Sequence, residues 1–251
     1  MDDRELLSKR FLEQSRKADA GGYFIFTDFL GLAEQSVLLE ESRSIPKSLY
    51  VTYGGAMGAE RVMVRFGRED EIGYSEPFPI TLIKIEPKSQ KFADKLSHRD
   101  FLGSLMNLGL DRSAFGDIVI IDNVGYLFCK TDIAEYVISS LERVKHTDVR
   151  LSEISELPEG ELFKTERRKI QAVGERVDAV VAKVFSISRE ESLSYFKKGL
   201  VFADGRLIEN NSYVPKHGER ISVRGLGRFI YLGYASTSKK GKLNIEVDIY
   251  V

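Results

Sequence analysis

Between residues 175 and 225 the sequence ERVDAVVAKVFSISREESLSYFKKGLVFADGRLIENNSYVPKHGERISVRG holds side chains suited to phosphate recognition. Arg176 and Arg189 each open a helical stretch, and a guanidinium fork can meet two phosphate oxygens at once. Lys197 and Lys198 close the second stretch and add point charges along the same surface. Such a surface suits folded RNA; the bland alternative is a solvated basic face without a partner.

A second stretch, SHRDFLGSLMNLGL (97–110), raises the question of catalysis, because His98-Arg99-Asp100 has the order that opens a kinase catalytic loop. A kinase needs a magnesium-binding Asn five residues after the Asp, together with a downstream Asp-Phe-Gly. Here the next Asn is Asn107, and no Asp-Phe-Gly occurs. Nor is a pseudouridine synthase motif visible around Asp100. Ser97 or Asp100 therefore reads as a cap of the helix that follows, with His98 and Arg99 free to approach phosphate at its amino terminus. No catalytic residue is assigned.

The elements that must position these groups can be read from periodicity. Val177, Val180, Val181, Val184 and Phe185 form the inner face of one helix. Ser188 caps a second helix, which turns Leu193 and Phe196 inward and stops at Gly199. Asp204-Gly205 is a hairpin turn in LVFADGRLI, and Gly218 turns the chain into ISV. The last residues, GRFIYLGYASTSKKGKLNIEVDIYV, alternate as a hairpin with Lys239 and Lys240 at its tip. Upstream, ITLIKIEP (80–87), the helix from 98, DIVIID (117–122), GYLFCK (125–130), a helix over 133–141 and a strand over 144–151 give the order βαββαβ. Asn123-Val124 separates the two central strands. Tyr126 and Phe128 share a face of one of them, where bases could stack or another domain could pack.

Composition narrows the field. Residues 1–160 carry 20 Lys+Arg and 27 Asp+Glu (net −7), whereas 161–251 carry 17 and 11 (net +6), a basic module on an acidic body as expected of a nucleic-acid binder. Cys129 is the only cysteine and the three histidines lack ligand spacing, so neither a disulfide, a structural metal nor a cofactor is expected. The charged amino terminus lacks a signal-peptide core and no run is long enough to span a membrane, so a cytoplasmic protein is expected, with no sign of an obligate dimer. Pro77 and Pro79, and the polar stretch SEISELPEG (152–160), mark boundaries. The expected organisation is α+β in three small domains: 1–78 (α/β), 79–152 (RRM-like), a linker over 153–165, and 166–251.

Arg176-Val177-Asp178, Ser188-Arg189-x-x-Ser192, Phe196-Lys197-Lys198-Gly199-x-Val201, Asp204-Gly205 and Gly218-Glu219 before Ile221-x-Val223 together resemble the S4-type RNA-binding domain. The usual Asn-Gly and Gly-Asp turns are Asp204-Gly205 and Gly218-Glu219 here, and a common alanine is Ser192. GGAMGAER (54–61), HRDFLGSLMNLGLDR (98–112) and FGDIVI (115–120) in turn resemble the bacterial YlmH family, in which an α/β domain and an RRM-like domain precede an S4-type domain. No Gly-Lys-Ser/Thr follows Gly54, Gly55 and Gly58, so these read as a backbone turn rather than a phosphate loop, and Gly116-Asp117 likewise as turn chemistry.

What the resemblance implies is a non-enzymatic role in ribosome-associated quality control, on large ribosomal subunits obstructed by peptidyl-tRNA, together with a link to cell division. Arg176, Ser188, Arg189, Ser192, Lys197 and Lys198 would contact rRNA and tRNA. Asp178, Gly199, Gly205 and Gly218 would shape the domain, since a carboxylate facing phosphate is repelled. Two other classes stay open: an RNA-modifying enzyme, because S4-type domains are often fused to such enzymes, and a division protein for which RNA binding is secondary.

Overall fold

The computed structural model describes residues 3–158, 165–238 and 241–250. Lys239 and Lys240, and residues 159–164 of the expected linker, lie outside the described residues. The architecture is mixed α/β with several sheets, in two compact units, Met1–Gly160 and Glu161–Val251.

The first unit begins with α1 (Asp3–Gly21), β1 (Ile25–Phe26), α2 (Leu32–Glu40), β2 (Tyr50–Tyr53), β3 (Met63–Phe66) and α3 (Glu69–Ile72). The strands form an antiparallel sheet in the order β1-β3-β2. Phe11, Val37, Leu38, Ile45, Val64 and Phe66 fill the core between this sheet and the helices.

The same unit continues through β4 (Ile80–Pro87), α4 (His98–Met106), β5 (Phe115–Ile121), β6 (Val124–Lys130), α5 (Thr131–Ser140), β7 (Arg143–Val144) and β8 (Thr147–Ile154). The sheet order is β5-β6-β4-β8-β7, with β4 antiparallel to both β6 and β8. This is the βαββαβ order read from the sequence, with one strand more. The expected strand over 144–151 is a hairpin, because Lys145 takes a left-handed φ of 57° and reverses the chain. The central turn is Asp122-Asn123, one residue earlier than expected, and both residues have the positive φ that a two-residue hairpin loop requires. Helix α5 starts two residues before the expected point, directly after Lys130. At α4 both capping candidates act together: the Asp100 carboxylate accepts from Ser97 N at 2.8 Å and from Ser97 Oγ at 2.6 Å.

The second unit contains β9 (Thr165–Ala172), α6 (Val177–Val184), α7 (Arg189–Lys197), β10 (Val201–Ala203), β11 (Arg206–Leu207), β12 (Arg220–Val223), β13 (Gly227–Thr237) and β14 (Leu243–Tyr250). Its six-stranded antiparallel sheet runs β11-β10-β12-β13-β14-β9. Val177, Val180, Val181 and Val184 of α6 and Phe196 of α7 pack on Val201, Ile221, Val223, Phe229, Tyr231, Ile245 and Val247. The hairpin read at the carboxyl end is β13–β14, joined to the rest of the sheet rather than appended to it. Strand β9 occupies residues that gave no strand signal: it pairs with all of β14, although only Ile170 and Ala172 turn inward.

Candidate RNA-binding site

At the amino ends of α6 and α7, Arg176 and Arg189 converge on one carboxylate. Asp178 is fully buried and accepts from Arg176 Nε at 3.2 Å and Nη2 at 3.3 Å, and from Arg189 Nε at 3.2 Å and Nη2 at 3.1 Å. Ala179 N donates to the same carboxylate at 3.0 Å, and Asn211 Nδ2 at 3.4 Å. The two arginine side chains remain 43% and 52% exposed. Each guanidinium has five N–H donors and turns its Nε and Nη2 edge to Asp178, which leaves three N–H groups per arginine for another acceptor. Burial alone would push the Asp178 carboxyl upward; the hydrogen bonds of Arg189 and Arg176 outweigh it and hold the group below the usual carboxylate range.

The surroundings fix this geometry. Tyr213 O accepts from Val177 N at 2.8 Å, so the loop after β11 covers the first turn of α6. The Tyr213 hydroxyl donates to both Glu219 oxygens at 2.7 and 2.8 Å; burial and then Glu219 raise its pKa to about 12. Asn211, to which the sequence reading gave no role, belongs to this support through its bond to Asp178.

Ser188 caps α7, accepting from Glu191 N at 3.0 Å, and is itself exposed. Ser192 departs from the expectation of an RNA contact. It is fully buried, and its hydroxyl donates to Asp178 O at 2.9 Å, so it ties α7 to α6 instead of facing solvent. Lys197 and Lys198 are exposed at the far end of α7, about 12 Å of helix from Arg189. Gly199, at φ 64°, ends that helix in a Schellman motif: Leu200 N donates to Tyr195 O and Gly199 N to Phe196 O, both at 3.0 Å. Asp204 and Gly205, with φ of 45° and 82°, form the turn between β10 and β11. Gly218, at φ 82°, sits third in a turn closed by Glu219 N to Lys216 O at 3.0 Å, where a type II turn requires glycine.

In the first unit the motifs GGAMGAER and FGDIVI meet each other. Asp117 accepts from Glu60 N at 2.6 Å and Arg61 N at 3.2 Å, while the Arg61 guanidinium donates to the carbonyls of Phe115 (2.9 Å) and Phe29 (2.8 Å). Gly116-Asp117 is thus no turn. It lies within β5, where the register with β6 shifts between Phe115 and Ile118. A Cβ on Gly116 would come within 2.7 Å of the Phe29 ring, and one on Gly55 would collide with the ring of Phe128. The sheet face carrying Tyr126 and Phe128, 7% and 2% exposed, is therefore covered and offers no stacking platform. The cleft beside it, lined by Tyr53, Phe78, Leu82 and Phe128, also holds Glu153 and Glu156, which repel phosphate. Among the described residues no helix is long and apolar enough to cross a membrane.

A family model described as a putative RNA-binding domain in YlmH matches residues 74–157, which span β4 to β8. The ribosome-associated protein quality control protein P2 of Bacillus subtilis (strain 168) is 30% identical over 229 residues, covering 88% of this chain and 86% of that protein. The cell division protein ylmH from Streptococcus pneumoniae aligns with 62% of this chain and 93% of its own, at 20% identity and a TM-score of 0.47. With a relative of that identity aligned over most of both chains, and the YlmH domain matched within it, the chain belongs to the YlmH family.

Proposed function

We propose that this protein is a non-catalytic RNA-binding factor of ribosome-associated quality control, which grips rRNA and tRNA backbone on large ribosomal subunits obstructed by peptidyl-tRNA. Residues 166–251 act as an S4-type module in this reading, and the chain works as a monomer. The observation that carries it is the pair of half-exposed guanidiniums held by the buried Asp178 carboxylate. A group so held can take a phosphate without first losing side-chain freedom. The quality-control role named for the Bacillus subtilis relative and the RNA-binding domain matched over residues 74–157 support the reading.

The test is co-sedimentation of the protein with purified large subunits, with and without peptidyl-tRNA, comparing wild type with Arg176→Ala/Arg189→Ala. Binding strengthened by peptidyl-tRNA and lost in the double variant is the expected result. Wild-type protein that stays in the supernatant at moderate salt, or a double variant that still pellets fully, would overturn it.

A further inference from the structure

The segment from the end of β4 into the first turn of α4, PKSQKFADKLSHR (87–99), contradicts the charge of its own unit. It carries Lys88, Lys91, Lys95 and Arg99 against a single acid, Asp94, in a unit whose residues 1–160 sum to −7. All four cations are exposed, and none forms a salt bridge among the described residues. Among them Phe92 is 81% exposed, with the Lys91 amine 5.6 Å from its ring centroid.

The loop is held rather than loose. Lys88 N donates to Asp148 O at 2.9 Å, Asp94 N to Thr147 Oγ1 at 2.9 Å, and Leu96 N to Asn123 Oδ1 at 2.7 Å; Asn123 Nδ2 returns a bond to Asp94 O at 2.8 Å. These bonds bring it beside the β7–β8 turn, where Lys145 and His146 are also exposed.

We propose that this loop and the first turn of α4 form a second RNA contact, in which an unpaired base stacks on Phe92 while Lys88, Lys91 and Lys95 of the loop and Arg99 of α4 hold the flanking phosphates. A ring presented to solvent on a fixed loop accepts the face of any base, and neighbouring cations supply the sequence-independent attraction. Duplex bases have no free face to offer, so the ligand is single-stranded RNA. The contact lies at the end of the five-stranded sheet that carries the β5–β6 and β7–β8 turns. The proposal rests on RNA binding as the protein's role and adds where the acidic unit takes part.

The chain contains no tryptophan, so Phe92→Trp in the full-length protein creates a single reporter. A uridine dodecamer should quench its emission, whereas a fully paired RNA of the same length should not. Phe92→Ala should weaken binding of the dodecamer by about 5- to 150-fold, the range for one stacked base. Lys88→Ala/Lys91→Ala/Lys95→Ala should lower the salt slope by about 2. Unchanged emission at saturating, independently measured dodecamer binding would overturn the proposal, as would equal quenching by a polyglutamate peptide, which would make the loop a protein-binding anion patch. Quenching should persist in the Arg176→Ala/Arg189→Ala background, so failure of the arginine clamp and failure of this loop are read separately.

Discussion

Replacing Asp178 by Asn keeps the shape of the buried group and removes its charge. The wild-type carboxylate accepts from two arginines, and hydrogen bonds to a charged group contribute about 1.5–3 kcal/mol each. Both side chains are around half exposed, and solvent screening reduces that to about 1 kcal/mol per arginine. An amide is cheaper to bury than a carboxylate, which returns part of the loss. The net destabilisation is then about 1–2 kcal/mol, or roughly 5–15 °C in the melting of a unit of this size. Acidity supplies the sign. The folded pKa lies below the usual 3.8, so the carboxylate's contribution is complete above that value and is lost as pH falls through the depressed folded pKa. The wild-type to Asp178→Asn gap should therefore be constant from neutral pH to about 5 and close below about 4. Urea unfolding of both proteins followed by circular dichroism, at neutral and acid pH, measures it. Equal stability at neutral pH, or a gap that widens on acidification, would refute the assignment of Asp178 as the anchor of the arginine pair.

Gly55→Ala tests the contact between the amino-terminal half of the first unit and its larger sheet. The residue has φ 93° and its added methyl meets the buried Phe128 ring, so strain and overpacking together should cost about 2–6 kcal/mol in thermal or chemical melts. In combination with Phe128→Leu the cost should be less than the sum of the two single changes, and simple additivity would show that the groups do not meet. Cys129 is fully buried in β6, where burial, then Asp132 and Glu153, push its thiol up to about 12. A thiol reagent at pH 8 should therefore label it only in denaturant, and stoichiometric labelling of the native protein within minutes would contradict its place in the core.

Legibility from sequence followed the range of the interaction. The Ser188 cap, the Gly199 stop and the Asp204-Gly205 turn are local backbone chemistry, and each is where its residue type places it. Strand β9 was not legible because TERRKIQA exposes five consecutive residues; its partner β14 lies more than seventy residues away, and its arginine and lysine side chains suit an edge strand. The split of β7 from β8 was hidden because Lys145 adopts positive φ without being Gly, Asn or Asp. The motifs around Gly55 and Gly116 were visible as motifs, but their reason is a contact between segments over fifty residues apart, Glu60 and Arg61 with Asp117. Ser192 shows the same limit in the site itself. A serine on a helix beside basic residues reads as a surface hydroxyl until α6 packs over it.

A carboxylate at the centre of the proposed phosphate-binding site looks counterproductive, since it cancels one of two positive charges. The geometry explains what is gained. A free arginine carries about 2 kcal/mol of rotamer entropy that phosphate binding must remove, and two of them would face each other with like charge. With Asp178 between them, the repulsion is offset and one edge of each guanidinium is fixed. The three remaining N–H groups of each fork then present a rigid set of donors to solvent. Lys197 and Lys198 lack any such anchor among the described residues. Under the proposed RNA-binding role the surface would divide the work by chemistry: the anchored arginines would set where a phosphate sits and how it is oriented, and the lysines would supply attraction that falls off with salt.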